Sequence, residues 1–275
     1  TFSTYEHISF NERVSPGSRL VSSCCSPGGS IVVIGDTHRF LRIFRLTEDS
    51  VSKLKDIEAH GDRVDSLAWA HSGLKFVSGS KDGIAKVWRF HYNDWENVTL
   101  EAKKNDEKLT ANSRRAYKVT MVCWTLEDDF VVTSGSDHAL VVWDPNTGNL
   151  LRQLEGHKED TYVLIAHPLY REFIFSAGHD GLFMIWDVGE GKLVKRYQNQ
   201  DEVNGSVPLF DFSISPDGTV VAAVDSLGRL SIFGTGASQK VKTTPKEQFF
   251  ITDYMPVAYD ASGELVDEDT SMPPH

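Results

Sequence analysis

Cysteine and long apolar runs are both scarce in this chain. Only three of the 275 residues are cysteines, Cys24, Cys25 and Cys123, and two of them are adjacent. Such a pattern provides no even disulfide framework, so it predicts a reducing compartment. No stretch approaches the roughly 18–20 apolar residues of a membrane-spanning helix, so no membrane partner is expected. The chain opens with Thr1 rather than Met and shows no signal peptide, which predicts a piece of a longer protein.

The chain also lacks a net positive charge and recognisable metal-binding or phosphate-binding motifs. Its net charge of −11 argues against nucleic acid as a main partner. The basic run Lys103–Lys118 suits nucleic acid or nuclear import, but Asp106 and Glu107 interrupt it and favour a solvated loop. None of the ten histidines has metal-ligand spacing, and no glycine-rich phosphate loop opens a helix. We therefore expect no metal, no cofactor and no small-molecule substrate.

A short pattern recurs five times along the chain. A hydrophobic strand ends in a Gly/Ser-Asp turn, and Trp or Phe then closes a second strand. The closing aromatic residues are Phe44, Trp88, Trp143, Trp186 and Phe233. Their spacings of 44, 55, 43 and 47 residues fit the period of about 40–45 that is typical of WD-repeat propellers. The sequence therefore predicts an all-β protein, a WD-repeat β-propeller with five blades in this chain.

The repeats also predict how the chain is divided. Residues 1–252 are assigned to propeller blades and residues 253–275 to an acidic extended tail. The repeats lie near residues 18–57, 58–100, 117–154, 155–197 and 207–252, with a polar loop at 101–116. Gln248–Thr252 is the expected outer strand of the last blade, and Tyr5–Phe10 resembles an orphan outer strand of a preceding blade. Five blades could close a ring, but this orphan strand favours the C-terminal part of a larger propeller.

Histidine, serine and aspartate recur together and have two interpretations. They could form a hydrolase triad, but a catalytic site is needed once, not in each blade. The repetition favours a buried hydrogen-bonded chain that holds each blade. Its predicted members are His60, Ser78, Asp82 and Trp88; Thr133, Asp137 and Trp143; and His157, Ser176, Asp180 and Trp186. The middle copy has Tyr117 or Lys118 in place of histidine, so we expect that blade to be held less firmly.

Residues in the loops at one end of the blades are candidates for binding a partner. Loops before the inner strands and in the second hairpin turns converge on the top rim of a propeller. The predicted partner-binding residues are Asp62, Arg63, Lys81, Ser136, Glu159, Asp160, Tyr162 and His179. For each of them the alternative, favoured for any single residue, is an ordinary solvent-exposed loop residue.

Several stretches resemble the bromodomain and WD-repeat protein family. They are Phe10–Gly17, Asp62–Trp69, Lys118–Trp124, Phe175–Gly181 and, most specific, the post-propeller segment Gln248–Val257. The resemblance implies an eight-bladed propeller in a large nuclear protein that regulates chromatin, transcription and cell shape. Bromodomains would follow outside this chain. It also implies protein partners that are chromatin-associated or belong to a ubiquitin ligase, since at least one member is a cullin-4 substrate receptor.

One departure from such receptors concerns the blade ends. Many of them carry Trp-Asp-x-Arg, whereas this chain has Trp143-Asp144-Pro145-Asn146 and Trp186-Asp187-Val188-Gly189. Docking of the ligase adaptor through these blades is therefore not expected. The leading hypothesis is a non-enzymatic interaction scaffold in the nucleus. The alternatives are a cytoplasmic cytoskeletal or trafficking adaptor and, less favoured, a propeller hydrolase.

Overall fold

The computed structural model describes residues 17–47, 50–101, 117–201, 203, 205–234, 257–259 and 265–267. The chain divides into two compact units, Thr1–Phe233 and Gly234–His275. The predicted strands Tyr5–Phe10 and Gln248–Thr252 and the loop 102–116 lie outside the described residues. In the second unit, β-strands Val257–Tyr259 and Leu265–Asp267 pair as a short antiparallel hairpin. This hairpin is an addition to the extended tail that the sequence predicts.

The first unit contains five antiparallel blade sheets that follow one another along the chain and one two-stranded ribbon. Blade 1 has β1 (Leu20–Cys25), β2 (Ile31–Asp36), β3 (Phe40–Leu46) and β4 (Val51–Glu58). Blade 2 has β5 (Val64–Trp69), β6 (Lys75–Ser80), β7 (Ile84–His91) and β8 (Asp94–Glu101). Blade 3 has β9 (Val119–Trp124), β10 (Val131–Gly135), β11 (Leu140–Trp143) and β12 (Leu150–Leu154).

The remaining two blades follow the same order. Blade 4 has β13 (Thr161–Ala166), β14 (Phe173–Gly178), β15 (Leu182–Asp187) and β16 (Lys192–Gln198). A small ribbon of β17 (Gln200–Asp201) and β18 (Gly205–Ser206) precedes blade 5. Blade 5 has β19 (Leu209–Ile214), β20 (Val220–Asp225) and β21 (Leu230–Gly234). The hairpin of the second unit is β22 (Val257–Tyr259) and β23 (Leu265–Asp267).

Apolar residues on both sheet faces hold neighbouring blades together. Four buried clusters lie between successive blades, as when Val33, Leu41 and Ile43 of blade 1 pack with Val64 and Phe76 of blade 2. Because a single blade cannot bury two apolar faces alone, its stability depends on its neighbours. The first strands of successive blades pack side by side, so β1, β5, β9, β13 and β19 form the inner layer.

The turn between the second and third strands has one backbone conformation in every blade. Its third residue has a positive φ in each case: Arg39 (69°), Gly83 (86°), His138 (67°), Gly181 (68°) and Gly228 (77°). Glycine adopts this conformation without steric cost, whereas arginine and histidine do not. At Gly83 a Cβ atom would also lie 2.5 Å from the carbonyl oxygen of Tyr117. The neighbouring blade therefore approaches this turn too closely for a side chain.

The two ends of the array expose apolar side chains that would be covered in a central blade. In blade 5 the exposed fractions are 62% for Leu230, 52% for Ile232 and 41% for Val224, and in blade 1 Leu20 is 57% exposed. The equivalent strands of blades 2–4 are mostly buried. Exposed apolar faces of this kind mark contact surfaces.

We expect the chain expressed alone to self-associate through these end faces. The double variant Leu230→Lys and Ile232→Lys should shift it toward monomer, because charged side chains resist burial between sheets. The measurement is sedimentation velocity across a concentration series. Val203→Lys, at an 89% exposed turn residue between β17 and β18, is the matched control and should change nothing. A wild-type chain that sediments as a monomer and unfolds cooperatively would instead favour a closed five-bladed ring.

Candidate functional site

A buried hydrogen-bonded chain runs through blade 2. The indole N–H of Trp88 donates to the Ser78 hydroxyl oxygen at 2.9 Å, and that oxygen lies 2.7 Å from His60 Nε2. His60 Nδ1 lies 3.2 Å from Asp82 Oδ2. A carboxylate only accepts, so Nδ1 carries the proton and Nε2 of the neutral ring accepts from Ser78. All donors then point one way along the chain, an arrangement that strengthens each bond.

Blade 4 repeats this geometry. Trp186 donates to Ser176 at 2.8 Å, Ser176 lies 2.7 Å from His157 Nε2, and His157 Nδ1 lies 3.0 Å from Asp180 Oδ2. Both serine residues are fully buried, with exposed fractions of 0%. A substrate cannot reach a hydroxyl in that position, so these groups act in structure and not as nucleophiles.

The histidine contacts lower the pKa of the turn aspartates. Burial by itself raises the pKa of Asp82, but hydrogen bonds from His60 and the backbone N–H of Gly61 outweigh it and bring the value to about 2. The pKa of Asp180 is lowered in the same way, because His157 and the backbone N–H of Lys158 outweigh its burial. Both carboxylates therefore favour the charged form in the folded chain.

Blade 3 lacks the histidine and behaves differently. Trp143 still donates to the Thr133 hydroxyl at 2.9 Å. Tyr117 packs so closely on Gly135 that a Cβ atom there would lie 2.3 Å from its hydroxyl oxygen. That hydroxyl is buried and makes no hydrogen bond within the described residues. Burial raises the pKa of Asp137, and neither the backbone N–H of Ala139 nor the nearby His138 offsets this effect.

Blades 1 and 5 lack the buried hydrogen-bonded chain of blades 2 and 4. They have instead a buried aspartate that lies two positions earlier in the turn than Asp82 and Asp180 do. Asp36 accepts the backbone N–H groups of His38 and Phe40 and pairs with Arg42 at 3.2 Å. At the equivalent position, Asp225 accepts those of Leu227 and Arg229 and pairs with the Arg229 side chain at 2.8 Å. The sequence predicts the buried hydrogen-bonded chain only for blades 2, 3 and 4 and does not indicate that Asp36 and Asp225 hold the turns of blades 1 and 5. The larger spacing from Asp to Phe was the available signal.

The pKa of Asp225 shows that the contacts of this buried aspartate in blade 5 stabilise its ionised form. Burial opposes ionisation, but the hydrogen bonds from Arg229 and Asn199 outweigh it and lower the pKa to about 2. The Asn199 side chain donates to Asp225 at 3.1 Å. Asn199 precedes the blade in the chain, as His60 and His157 do in blades 2 and 4.

The predicted partner-binding residues form two groups and one separate residue, Ser136, on one end of the blades, the top face. The blade 2 group contains Asp62, Arg63 and Lys81, and the backbone N–H of Lys81 donates to the Arg63 carbonyl at 3.1 Å. Arg63 Nε pairs with Asp65 at 2.5 Å. A cavity of about 440 Å³ beside this group is lined by the blade 1 turn, Gly61 and Asp62. Ser136 lies separately in the blade 3 turn, where its hydroxyl accepts the backbone N–H of Lys118.

The blade 4 group contains Glu159, Asp160, Tyr162 and His179. His179 Nδ1 lies 3.0 Å from Glu159 Oε2, and its ring meets that of Tyr162 edge-on with centroids 5.8 Å apart. Asp160 Oδ1 lies 3.5 Å from Nδ1 of His138 in the blade 3 turn. The structure thus brings these four residues together and connects them to blade 3.

A β-bulge in each first strand brings one further residue to the top face. The bulges leave one residue of the first strand without a partner on the second strand: Val21, Asp65, Thr120, Tyr162 and Phe210. A bulge turns its extra side chain out of the ladder. The rings of Tyr162 and Phe210, from neighbouring blades, lie 6.1 Å apart. Phe210 was missed by sequence reasoning, because its strand pattern gives no sign of a register shift.

Cysteine thiols, metal-ligand clusters and membrane-spanning helices would each indicate another kind of function in the described residues. Burial raises the pKa of Cys123 to about 12, and burial together with the nearby Cys25 raises that of Cys24 to about 12, which makes both thiols unreactive. Within the part of the chain that the structure describes, no three His, Cys, Asp or Glu side chains are grouped to hold a metal ion. The same residues contain no helix with the length and apolar character to cross a membrane.

Comparison with known proteins fits the blade architecture. Residues 51–89, 108–144 and 148–187 match the family described as WD domain, G-beta repeat. These three segments, which lie mainly in blades 2, 3 and 4, match WD repeats. The predicted WD-repeat propeller fold is therefore confirmed. A chain in the crystal structure of a mitotic checkpoint complex shares this fold, with a TM-score of 0.67 and 17% identity over 82% of this chain and 65% of that chain.

The chain is also similar in sequence to several named proteins. The chain is 28% identical over 270 residues to a Dictyostelium discoideum protein described as bromodomain and WD repeat-containing, which covers 94% of this chain and 12% of the relative. THO complex subunit 3 of Arabidopsis thaliana is 28% identical over 37% of this chain and 30% of its own length. Polyadenylation factor subunit 2 of Neurospora crassa is 28% identical over 37% of this chain and 20% of its own. The predicted resemblance to the bromodomain and WD-repeat family is confirmed, and the chain spans only a small part of these relatives.

Loss of the turn aspartate should destabilise blades 2 and 4 more than blade 3. Asp180→Ala leaves the buried His157 without its acceptor and should lower the free energy of unfolding by about 1–3 kcal/mol. Asp137→Ala should cost less, because no histidine depends on it. Denaturant melts of both variants make the comparison, and equal losses would contradict the structural role of the histidine.

The stability contributed by Asp82 should depend on acid pH. Its pKa is about 2 in the folded chain against an ordinary 3.8, so the unfolded chain binds more protons between these values. The contribution is present above about pH 4 and is lost as the pH falls toward 2. Melting temperatures of Asp82→Asn should therefore change less over this range than those of wild type.

Asp137→Asn is the control of opposite sign for this measurement. Because burial raises the folded-state pKa of Asp137, its contribution is present at low pH and is lost as the pH rises through that value. Asp137→Asn should therefore gain stability, relative to wild type, as the pH rises. Parallel pH profiles for the two asparagine variants would contradict the assignment.

Proposed function

We propose that this chain is the C-terminal part of the WD-repeat propeller of a chromatin-associated bromodomain and WD-repeat protein. In this proposal the propeller is a non-enzymatic scaffold whose top face binds other proteins in the nucleus. One observation carries it. The side chains that repeat from blade to blade are buried, whereas those on the top face differ between blades. Function is specified by the residues that the fold does not require.

The relatives support the proposal in its broad form. The relative that matches nearly the whole chain is named for its bromodomain and WD repeats. Two others are named as subunits, one of a THO complex and one of a polyadenylation factor. Assembly with other proteins, transcription-related work and a nuclear location are consistent with these names. Roles in cell shape and as a cullin-4 substrate receptor rest on the family resemblance alone.

The fold gives the proposal a physical basis. Turns and loops of consecutive blades lie on one face, so a partner that contacts several blades meets side chains from distant parts of the sequence. Arg63 and Lys81 place two cations in the blade 2 group, beside Asp62 and Asp65, while Glu159 and Asp160 place two carboxylates in the blade 4 group. Charges arranged in this way select partners and speed their association more than they add raw affinity.

Charge reversal in the blade 2 group tests the proposal. Arg63→Glu with Lys81→Glu should remove chromatin or ubiquitin-ligase partners in affinity capture from nuclear extract, because like charges would face the partner. The melting temperature should fall only slightly, since neither side chain belongs to the core and the substitution removes one partly exposed ion pair, Arg63–Asp65. Full-length protein is the bait, and captured proteins are identified by mass spectrometry.

A matched control carries the same charge change on the opposite face. Arg171→Glu with Lys192→Glu alters two exposed residues at the far end of blade 4, 56% and 72% exposed in their side chains. This control should keep every partner. An identical partner list for the wild type and the Arg63/Lys81 variant would move the site elsewhere and remove the blade 2 group from it.

A further inference from the structure

We propose that the blade 4 group, together with Phe210, binds a peptide segment of a partner protein through a lysine or arginine side chain. The surface consists of Tyr162, His179, Phe210, Glu159 and Asp160. This inference rests on the proposed function and deepens it, because it names the chemistry of what the top face of blades 4 and 5 recognises.

The fold does not require aromatic residues at this place. Tyr162 and Phe210 occupy the bulge position of their first strands, where the other blades have Val21, Asp65 and Thr120. All five bulges form although their side chains share no chemistry, so the bulge sets the direction of the side chain and not its identity. Two neighbouring aromatic residues at such positions need a reason outside folding.

The three rings form a continuous surface that is open to solvent. Tyr162 contacts His179 on one side, with centroids 5.8 Å apart, and Phe210 on the other, with centroids 6.1 Å apart. The exposed fractions are 39% for Tyr162 and 52% for Phe210, and the His179 side chain is 46% exposed. Aromatic rings held against each other yet left exposed mark a binding surface.

The carboxylates beside the rings define the charge of the ligand. Glu159 and Asp160 are more than half exposed. His179 Nδ1 lies 3.0 Å from Oε2 of Glu159 and orients that carboxylate beside the rings, whereas Oδ1 of Asp160 lies 3.5 Å from His138 Nδ1 of blade 3. Lys158 is the one cation in the described loop 155–160, against three acidic residues.

Aromatic faces and carboxylates together favour a cation with an apolar stem. Ring faces attract lysine and arginine through the quadrupole of the π-system, and arginine also stacks on them. Carboxylates accept charge-assisted hydrogen bonds from the same groups. A phosphate-bearing ligand would be repelled here, so nucleic acid and acidic peptides do not fit. A partner's peptide with an exposed basic side chain satisfies both features of the surface.

An unbiased peptide selection tests the inference. Short random peptides displayed on phage are selected on the full-length protein and counter-selected on its Tyr162→Ala, Phe210→Ala variant. Peptides that survive both steps should contain lysine or arginine. Replacing that residue with glutamine in a synthetic copy should weaken binding about tenfold, as expected for loss of a cation–π and ion-pair contact.

Single variants separate the contribution of the rings from that of the charges. Tyr162→Phe keeps the ring and should retain binding, whereas Tyr162→Ala should lose about tenfold in affinity. Glu159→Gln with Asp160→Asn should weaken binding and reduce its dependence on salt. Unchanged melting temperatures exclude a folding defect in each variant.

The possible failures have distinct meanings. Selected peptides without basic residues, enrichment of acidic peptides, or no peptide that depends on Tyr162 and Phe210 would each overturn the inference. The Arg63→Glu, Lys81→Glu variant should bind the selected peptides like wild type, because it alters another blade. Its capture result tests the broader scaffold proposal separately, so either proposal can fail without the other.

Discussion

The hydrogen bond from a blade tryptophan to a buried hydroxyl is the contact around which the central blades are organised. The indole N–H needs an acceptor once it is enclosed between two sheets, and Ser78, Thr133 and Ser176 supply it at 2.9, 2.9 and 2.8 Å. The bond ties the third strand to the second, and in blades 2 and 4 the same hydroxyl then engages a histidine and, through it, the turn aspartate. Where phenylalanine replaces tryptophan, no N–H needs satisfying. Those blades hold their turns with a buried aspartate and an arginine instead.

Because buried residues hold the blades together, the residue types on the top face can differ from blade to blade. Buried polar chains and apolar clusters hold the sheets, so the exposed side chains of the turns and bulges carry little of the stability. The same backbone position can therefore be Val21 in one blade, Asp65 in another and Phe210 in a third. Different blades consequently present different charged side chains, with Arg63 and Lys81 in blade 2 and Glu159 and Asp160 in blade 4. A scaffold that recognises proteins requires this combination of a fixed frame and a variable rim.

Much of the blade structure could be predicted because the strands of each blade are recognisable in the sequence of its repeat. Alternating and continuous apolar runs indicated the inner strands within a residue or two, as for Val64–Trp69 and Leu209–Ile214, and the missing histidine of blade 3 was visible in the chain. The role of the aspartates in blades 1 and 5 was not predicted, although Asp36 and Asp225 lie farther from the closing phenylalanine than the other turn aspartates lie from their tryptophan. Their different role depends on Arg42 and Arg229, which reach back to them only when the hairpin is formed.

The sequence by itself determined the repeat, the strands and the buried hydrogen-bonding residues, because periodicity and turn chemistry act over a few residues. Only the tertiary structure decided which rim residues meet. Tyr162 and Phe210 come together through a one-residue register shift in two separate blades. Asp128 binds the turn of His71 and Ser72, in the preceding blade of the array. Such contacts depend on bulges and on how neighbouring sheets pack, and a local pattern of apolar and polar residues encodes neither.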